Sequence, residues 1–324
     1  MTAANGNGRK DNYLYYPGCS QRATSRAYEK SAKLVGQALG FTLEEINDWN
    51  CCGATDYFSV NVLPAYSLVA RNLSLAVEQG GTRDLVAPCS ACFLNLRKTD
   101  TNMGKYPKLN KQVNQALAAG NLHYDPGTLN IRHLLDVIVQ DIGFDTIEAR
   151  VTKPLTGLRV APYYGCLIVR PDAGYNTEYP THLDELLTRL GATVVDFPMK
   201  THCCGGHMTQ IGEDVALELI RRLVHNAAEY DADMIVTLCP MCQLNLDAYQ
   251  GQVNSHFNTD YRLPVLFFTQ LMGLAFGIKP GDLDIGSEII PADAALAKIG
   301  QEAETKPRQA VRRDKNALPM PSLD

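Results

Sequence analysis

The triplet Cys-Cys-Gly occurs twice in this chain, as Cys51-Cys52-Gly53 and as Cys203-Cys204-Gly205. Each copy has one cysteine upstream, Cys19 or Cys166, placed after an apolar run and a glycine in YLYYPGC and VAPYYGC. Each also has a C-x-x-C downstream, Cys89/Cys92 or Cys239/Cys242. All 10 cysteines of the chain fall into these two sets of five. Matched pairs (19/166, 51/203, 89/239, 92/242) lie 147, 152, 150 and 150 residues apart, a near-constant offset that signals duplication. The likeness reaches beyond the cysteines, since CSACFLNL matches CPMCQLNL. A chain that divides its thiols into two equal sets is expected to hold two metal centres.

At 324 residues the chain can bury substantial cores and should form about two domains. Ten cysteines are far below the ~8 to 10% that marks a small disulfide scaffold. The start, MTAANGNGRKDN, has no apolar signal-peptide core, so a cytoplasmic location is expected, and there thiols point to metal or redox chemistry. The longest apolar stretch, 265 to 277, is short of the ~18 residues that span a bilayer, so no direct membrane insertion is expected and membrane contact would come through a partner. A net charge of -5 without a basic stripe argues against nucleic acid.

Strand-like and helix-like segments alternate in both halves, which predicts α/β domains on parallel sheets with function at the carboxyl ends of the strands. In the first half strands are expected at 13–17, 41–46 and 84–87, and helices at 22–39, 62–77 and 131–142, with a helix starting at 93. The stretch from 100 to 130 is polar and carries no assigned element. In the second half strands are expected at 158–164, 193–197 and 234–238, and helices at 179–190 and 214–229. The run 265–277 matches 131–143 in position and helical character. The domain limits that follow are 13–150 and 155–285, with a disordered lead-in over 1–12 and a C-terminal tail over 286–324, disordered in part.

Thiolates bind soft or borderline metals, most often zinc or iron-sulfur clusters. Zinc and an ordinary cubane cluster each take four ligands, so five thiols per set is one too many for either. The extra thiol could be a buried core residue, but the same adjacent pair and glycine recur in both halves. Gly53 and Gly205 would let the backbone take a positive-φ turn or approach a cluster. Helix N-termini following the loop and the C-x-x-C could offer N–H groups to an anionic centre.

The pattern C…CCG…C-x-x-C resembles the CCG cysteine-rich domain, and two full copies over about 13–280 are similar to the B subunit of heterodisulfide reductase and the related complexes of sulfur oxidation. The resemblance implies two duplicated CCG domains related by pseudo-two-fold symmetry. It also implies two noncubane 4Fe-4S clusters, one on Cys19, Cys51, Cys52, Cys89 and Cys92 and one on Cys166, Cys203, Cys204, Cys239 and Cys242. The expected reaction is cleavage or formation of a disulfide, or a related thiol or persulfide, between the two centres. Splitting a disulfide takes two electrons, and two facing centres could supply one each. A ferredoxin-like iron-sulfur subunit and a flavin-containing subunit are the implied partners, with a thiol pair or sulfur carrier as substrate.

His207, just past Cys-Cys-Gly-Gly, is a candidate proton donor, and His202 is a weaker one. Lys200 could steer an anion or simply be solvated. Tyr15, Tyr16, Tyr163 and Tyr164 could line a cleft or fill the core, and the remaining histidines read as ordinary helix or loop residues. Two other classes compete with the disulfide reading. One is a CCG-domain electron-transfer subunit of a flavin-linked dehydrogenase passing electrons toward quinone, although the ferredoxin-type C-x-x-C-x-x-C-x-x-x-C-P run is missing. The other is a zinc-bearing assembly platform. Nucleotide-binding fingerprints are absent from the sequence.

Overall fold

The computed structural model describes residues 11–54, 56–80, 84–170, 176 and 178–301. They form two four-stranded parallel sheets. The first comprises β1 (Asn12–Tyr15), β2 (Thr42–Glu45), β3 (Leu85–Ala87) and β4 (Ile131–His133), in the order β2-β1-β3-β4. The second repeats it with β5 (Arg159–Tyr163), β6 (Thr193–Val194), β7 (Met234–Thr237) and β8 (Val265–Phe267), in the order β6-β5-β7-β8. The central strands β3 and β7 are buried along their whole length, as parallel strands covered by helices on both faces must be. In this order the chain leaves β1 in one direction and β3 in the other, so the crevice at a doubly wound sheet's switch point opens between their carboxyl ends.

The fourth strand of each sheet lies where the sequence predicts only helix. Residues 131–133 and 265–267 are strands of three residues that run straight into helical turns, so their apolar residues merge with the helical pattern. A polar side chain three residues on marks each junction. The N–H of His133 donates to Asp136 Oδ2 at 3.1 Å, and that of Phe267 to Gln270 Oε1 at 2.9 Å.

The predicted helix from Arg22 begins later, as α1 (Arg26–Leu39), because a 3-10 turn over Cys19–Arg22 comes first. Gly40 ends α1 in the left-handed conformation at φ 78. Next comes α2 (Val62–Gly80), which runs three residues past the expected end at 77. The polar stretch 100–130 is largely helical, holding the end of α3 (Ser90–Lys105) and all of α4 (Pro107–Leu117). It escapes a periodicity search because α4 buries only Val113 and Leu117. The second half contributes α5 (His182–Arg189), α6 (Glu213–Glu229), α7 (Pro240–Ala248), α8 (Gln250–Phe257) and α9 (Phe268–Ala275).

The halves pack reciprocally. Helix α1, which follows β1, lies against α9, which follows β8, and Ser31 Oγ meets Thr269 Oγ1 at 2.6 Å. Helix α5, which follows β5, meets the short helix Phe144–Glu148 beyond β4, where Arg189 pairs with Glu148 at 2.7 Å. The duplicated halves are thus related by a pseudo-two-fold. Of the expected tail, residues 286 to 301 wrap the second half. Asp247 accepts the N–H groups of Ile289 and Ile290 at 2.8 and 2.9 Å, and Gly300 donates to Thr156 O at 2.8 Å. Residues 302–324, and 1–10 of the expected lead-in, lie outside the described residues.

Candidate metal centres

The switch point of each sheet receives the cysteines. Cys19 follows β1 and Cys89 follows β3, while Cys92 lies one helical turn along on α3. The second half places Cys166, Cys239 and Cys242 in the same way after β5 and β7. The Cys-Cys-Gly loop follows the edge strand in each half and folds back over this crevice, with Cys52 Sγ 3.4 Å from Cys92 Sγ and Cys204 Sγ 3.5 Å from Cys242 Sγ. Cys51 Sγ lies 3.6 Å from Cys19 Sγ, and Cys203 stands beside Cys166, each shifting the other's acidity. Each quintet therefore gathers as its spacing predicts.

The two sets also meet. The thiols of Cys89 and Cys239, one from each half, stand close enough to shift each other's acidity, and the carbonyls just before them lie 3.1 and 3.2 Å from one hydroxyl, that of Tyr28. From that buried junction each set runs outward to a thiol at the surface, Cys19 in the first half and Cys203 in the second.

Hydrogen bonds among the thiols dominate their acidity. Cys52 is pulled well below the ordinary thiol range, chiefly by Cys51, and Cys239 chiefly by Cys242. Cys203 falls to about 6, chiefly through Cys166. The same bonds push Cys19, Cys89, Cys92, Cys166 and Cys242 up. Each set thus contains thiols ready to ionise, and the thiolate is the form that binds metal.

Glycines make room for the sulfurs. Gly18 has φ 76, and a Cβ there would come within 2.8 Å of Cys92 Sγ. Gly165 has φ 70, and its Cβ would meet Cys242 Sγ at 3.0 Å. Gly53 and Gly205 take the positive φ expected of them, 72 and 89. A Cβ at either would meet Tyr57 or Ala216 rather than a thiol, while the Gly53 N–H itself donates to Cys51 Sγ at 3.4 Å. The glycines that leave room for a sulfur where a side chain would stand are the ones before the lone cysteines, which in sequence look like turn punctuation alone.

Two further residue pairs fix the loops identically in both halves, and sequence reading does not single them out for this role. Asn95 Nδ2 donates to the carbonyls of Cys52 and Ala54 at 3.1 and 2.6 Å, and Asn245 Nδ2 to those of Cys204 and Gly206 at 3.0 and 2.8 Å. Tyr16 Oη donates to Asn50 O, and Tyr163 Oη to His202 O, at 2.7 Å each, just ahead of each double cysteine. A signal for the asparagines is present: each stands three residues after the last cysteine of its set, hence on the same helix face. Tyr15, Tyr16, Tyr163 and Tyr164 are all fully buried core residues and line no cleft.

His207 reaches across the halves, with Nδ1 3.0 Å from Asp56 Oδ2 in the first Cys-Cys-Gly loop. His202 is exposed. Lys200 neither steers an anion nor stands in solvent. It is 1% exposed, pairs with Asp184 at 2.9 Å, lies over the Tyr179 ring at 3.8 Å, and accepts the N–H groups of Tyr164 and Gly165 at its carbonyl. It braces the turn that carries Cys166.

This donor set does not suit a lone ion. Zinc–sulfur bonds of about 2.3 Å would draw four sulfurs around one point, yet among the described residues no three such groups close on a common centre. Thiols strung in pairs over ten positions fit polynuclear cores, whose thiolates sit on separate irons. A cleft of about 420 Å³, lined by Glu213, Asp214, Leu217 and His256 among others, lies on α6 and α8 and includes none of these cysteines. Among the described residues no helix is long and apolar enough to cross a membrane.

The sequence and fold have known relatives. The model of a family described as CCG, cysteine-rich domain, matches residues 13–97 and 160–247. The chain is 34% identical over 283 residues, 86% of its length and 97% of the relative's, to the 8-methylmenaquinol:fumarate reductase membrane anchor subunit of Wolinella succinogenes. It is 32% identical over 277 residues, 84% of its length and 91% of the relative's, to the B subunit of the ferredoxin:CoB-CoM heterodisulfide reductase of Methanosarcina mazei. A protein of Archaeoglobus profundus described as like the heterodisulfide reductase B subunit is 28% identical over 89% of this chain and 97% of its own. Among solved structures, a hypothetical protein from Helicobacter pylori aligns with a TM-score of 0.69 at 15% identity, a likeness of fold alone. That alignment covers 87% of this chain and about half, 52%, of the other.

Proposed function

Because this chain belongs to the CCG cysteine-rich domain family and carries two copies of that domain, we propose that it is the catalytic subunit of a heterodisulfide reductase-type complex. In this reading it cleaves or forms a disulfide, or a related thiol or persulfide bond. Cys19, Cys51, Cys52, Cys89 and Cys92 would hold one noncubane 4Fe-4S cluster, and Cys166, Cys203, Cys204, Cys239 and Cys242 the other. When bound, each cluster supplies a single electron and an iron with affinity for sulfur, so a matched pair meets the two-electron demand of an S–S bond. The observation that carries the reading is the closeness of Cys89 and Cys239, whose preceding carbonyls share the Tyr28 hydroxyl, because two centres can act on one bond only if they are neighbours.

The chain's own residues divide the remaining work. Asn95, Asn245, Tyr16 and Tyr163 hold the double-cysteine loops at fixed positions, and Gly18 and Gly165 admit the C-x-x-C sulfurs. Cleavage of a disulfide by two electrons leaves two thiolates that need two protons. His207, whose Nδ1 lies 3.0 Å from Asp56 Oδ2 of the other loop, would pass one proton from Nε2 to a departing sulfur, and water would supply the second. A ferredoxin-like iron-sulfur subunit and a flavin-containing subunit would deliver electrons in the cytoplasm, and the name of the M. mazei relative supports ferredoxin as a source of those electrons.

The W. succinogenes relative favours a second reading, an electron-transfer subunit that passes electrons toward quinone. Anaerobic purification followed by iron and sulfide counts and electron paramagnetic resonance separates the two. The disulfide reading expects about eight irons per chain and a new paramagnetic signal when thiol meets the oxidised protein. Full iron loading with no response to any thiol would leave the electron-transfer reading standing.

A further inference from the structure

Beside the junction of the two sets lies a residue that belongs to neither. Tyr28, on α1, is fully buried, and its hydroxyl is 3.1 Å from Pro88 O and 3.2 Å from Leu238 O. Those carbonyls immediately precede Cys89 and Cys239, and they are equivalent positions of the two halves. One hydroxyl proton is therefore shared between the repeats, next to the pair of thiols through which they meet. The ring is held as firmly as the hydroxyl. It stacks on Phe267 of the second half at 4.3 Å and 9°, and Phe268 closes on its edge at 6.0 Å. His133, buried and neutralised by that burial, lies against the same two carbonyls from the side of β4.

We infer that Tyr28 is a positioning residue that sets the spacing between the two metal centres, and with it their electronic communication. The inference rests on the proposed pair of clusters and adds a device to it. The cysteines after β3 and β7 belong to separate sheets, which share no strand pairing. A hydroxyl bonded to both strand ends, with His133 against the same carbonyls from the other side, converts that packing into a defined separation.

The test compares Tyr28→Phe, which keeps the stacked ring and loses only the hydroxyl, with Tyr124→Phe, which deletes a distant buried hydroxyl bonded to Asp100. Both are purified anaerobically in the full-length chain and counted for iron and sulfide. The reduced proteins are then examined for the splitting that two nearby spins impose on each other's resonance. Tyr28→Phe is expected to keep its iron and to show a narrowed or lost splitting, while Tyr124→Phe matches the wild type. Unchanged splitting in a fully loaded Tyr28→Phe protein overturns the inference. So does loss of iron from that variant alone, which would make Tyr28 a structural residue. A readout without iron separates this from failure of the cluster reading: in the metal-free chain, diamide takes two electrons and two protons from the Cys89 and Cys239 thiols to form a disulfide. Peptide mapping should find that link several-fold scarcer in Tyr28→Phe, and equal yields would refute the spacing role even if the protein bound no iron.

Discussion

Asn95 and Asn245 show how much of this site depends on groups that bind no metal. Each amide holds two carbonyls of a loop that has no secondary structure of its own. Removing such an amide strands buried acceptors at about 1–3 kcal/mol each, enough to let the loop leave the crevice. Asn245→Ala should therefore lose iron from the second set while the first stays loaded, and Asn95→Ala should do the converse. Total iron per chain in each variant is the measurement, and wild-type iron in both would deny the asparagines this role. Gly18→Ala is expected to be harsher. A positive φ costs an L-residue about 1–2 kcal/mol, and the new methyl would press on Cys92 Sγ at 2.8 Å. The same iron assay should show the first set empty. At this scale the cysteines are plain in the sequence because thiols are rare and recur at fixed spacing. Lys200 is not, since nothing in THCC or its neighbours announces that a lysine will be buried against Asp184 and Tyr179.

The strands that carry the cysteines are short, and what makes them dependable is how they end. β4 and β8 pass into helices at junctions held by Asp136 and Gln270, whose side chains accept the strand's last N–H. Gln270 does more, because its amide also donates to Leu283 O at 3.1 Å and so ties the α9 junction to the chain beyond it. Both contacts are buried, so Gln270→Ala should destabilise the protein by about 2 kcal/mol or more. Urea unfolding should show this as a lower midpoint with an unchanged slope. Six of the eight strands are legible because Gly, Pro or Cys punctuation bounds them. The fourth strand of each sheet is hidden by its three-residue length, for a period of two cannot declare itself before a helical run takes over. The helix α4 is hidden by the opposite fault, a buried stripe of only Val113 and Leu117 in a polar sequence.

On the scale of the whole molecule, duplication is legible from the constant offset between cysteines, but the meeting of the halves is not. That contact depends on α1 lying along α9, on Ser31 finding Thr269 and on Tyr28 finding Phe267, all between residues more than two hundred positions apart with no shared motif. Its consequence can be tested by emptying one half at a time. Each quintet has its own sheet, its own glycine cradle and its own asparagine clip, so Cys51→Ser/Cys52→Ser should keep the second centre and Cys203→Ser/Cys204→Ser the first, each with about half of the roughly eight irons of the intact chain. If disulfide chemistry needs two neighbouring centres, neither half-loaded protein should give the thiol-dependent paramagnetic signal, although each retains a complete centre reducible by dithionite. A half-loaded variant that still responded to thiol would show that one centre suffices. The contact between Cys89 and Cys239 would then serve electron passage alone, as the quinone-directed reading requires.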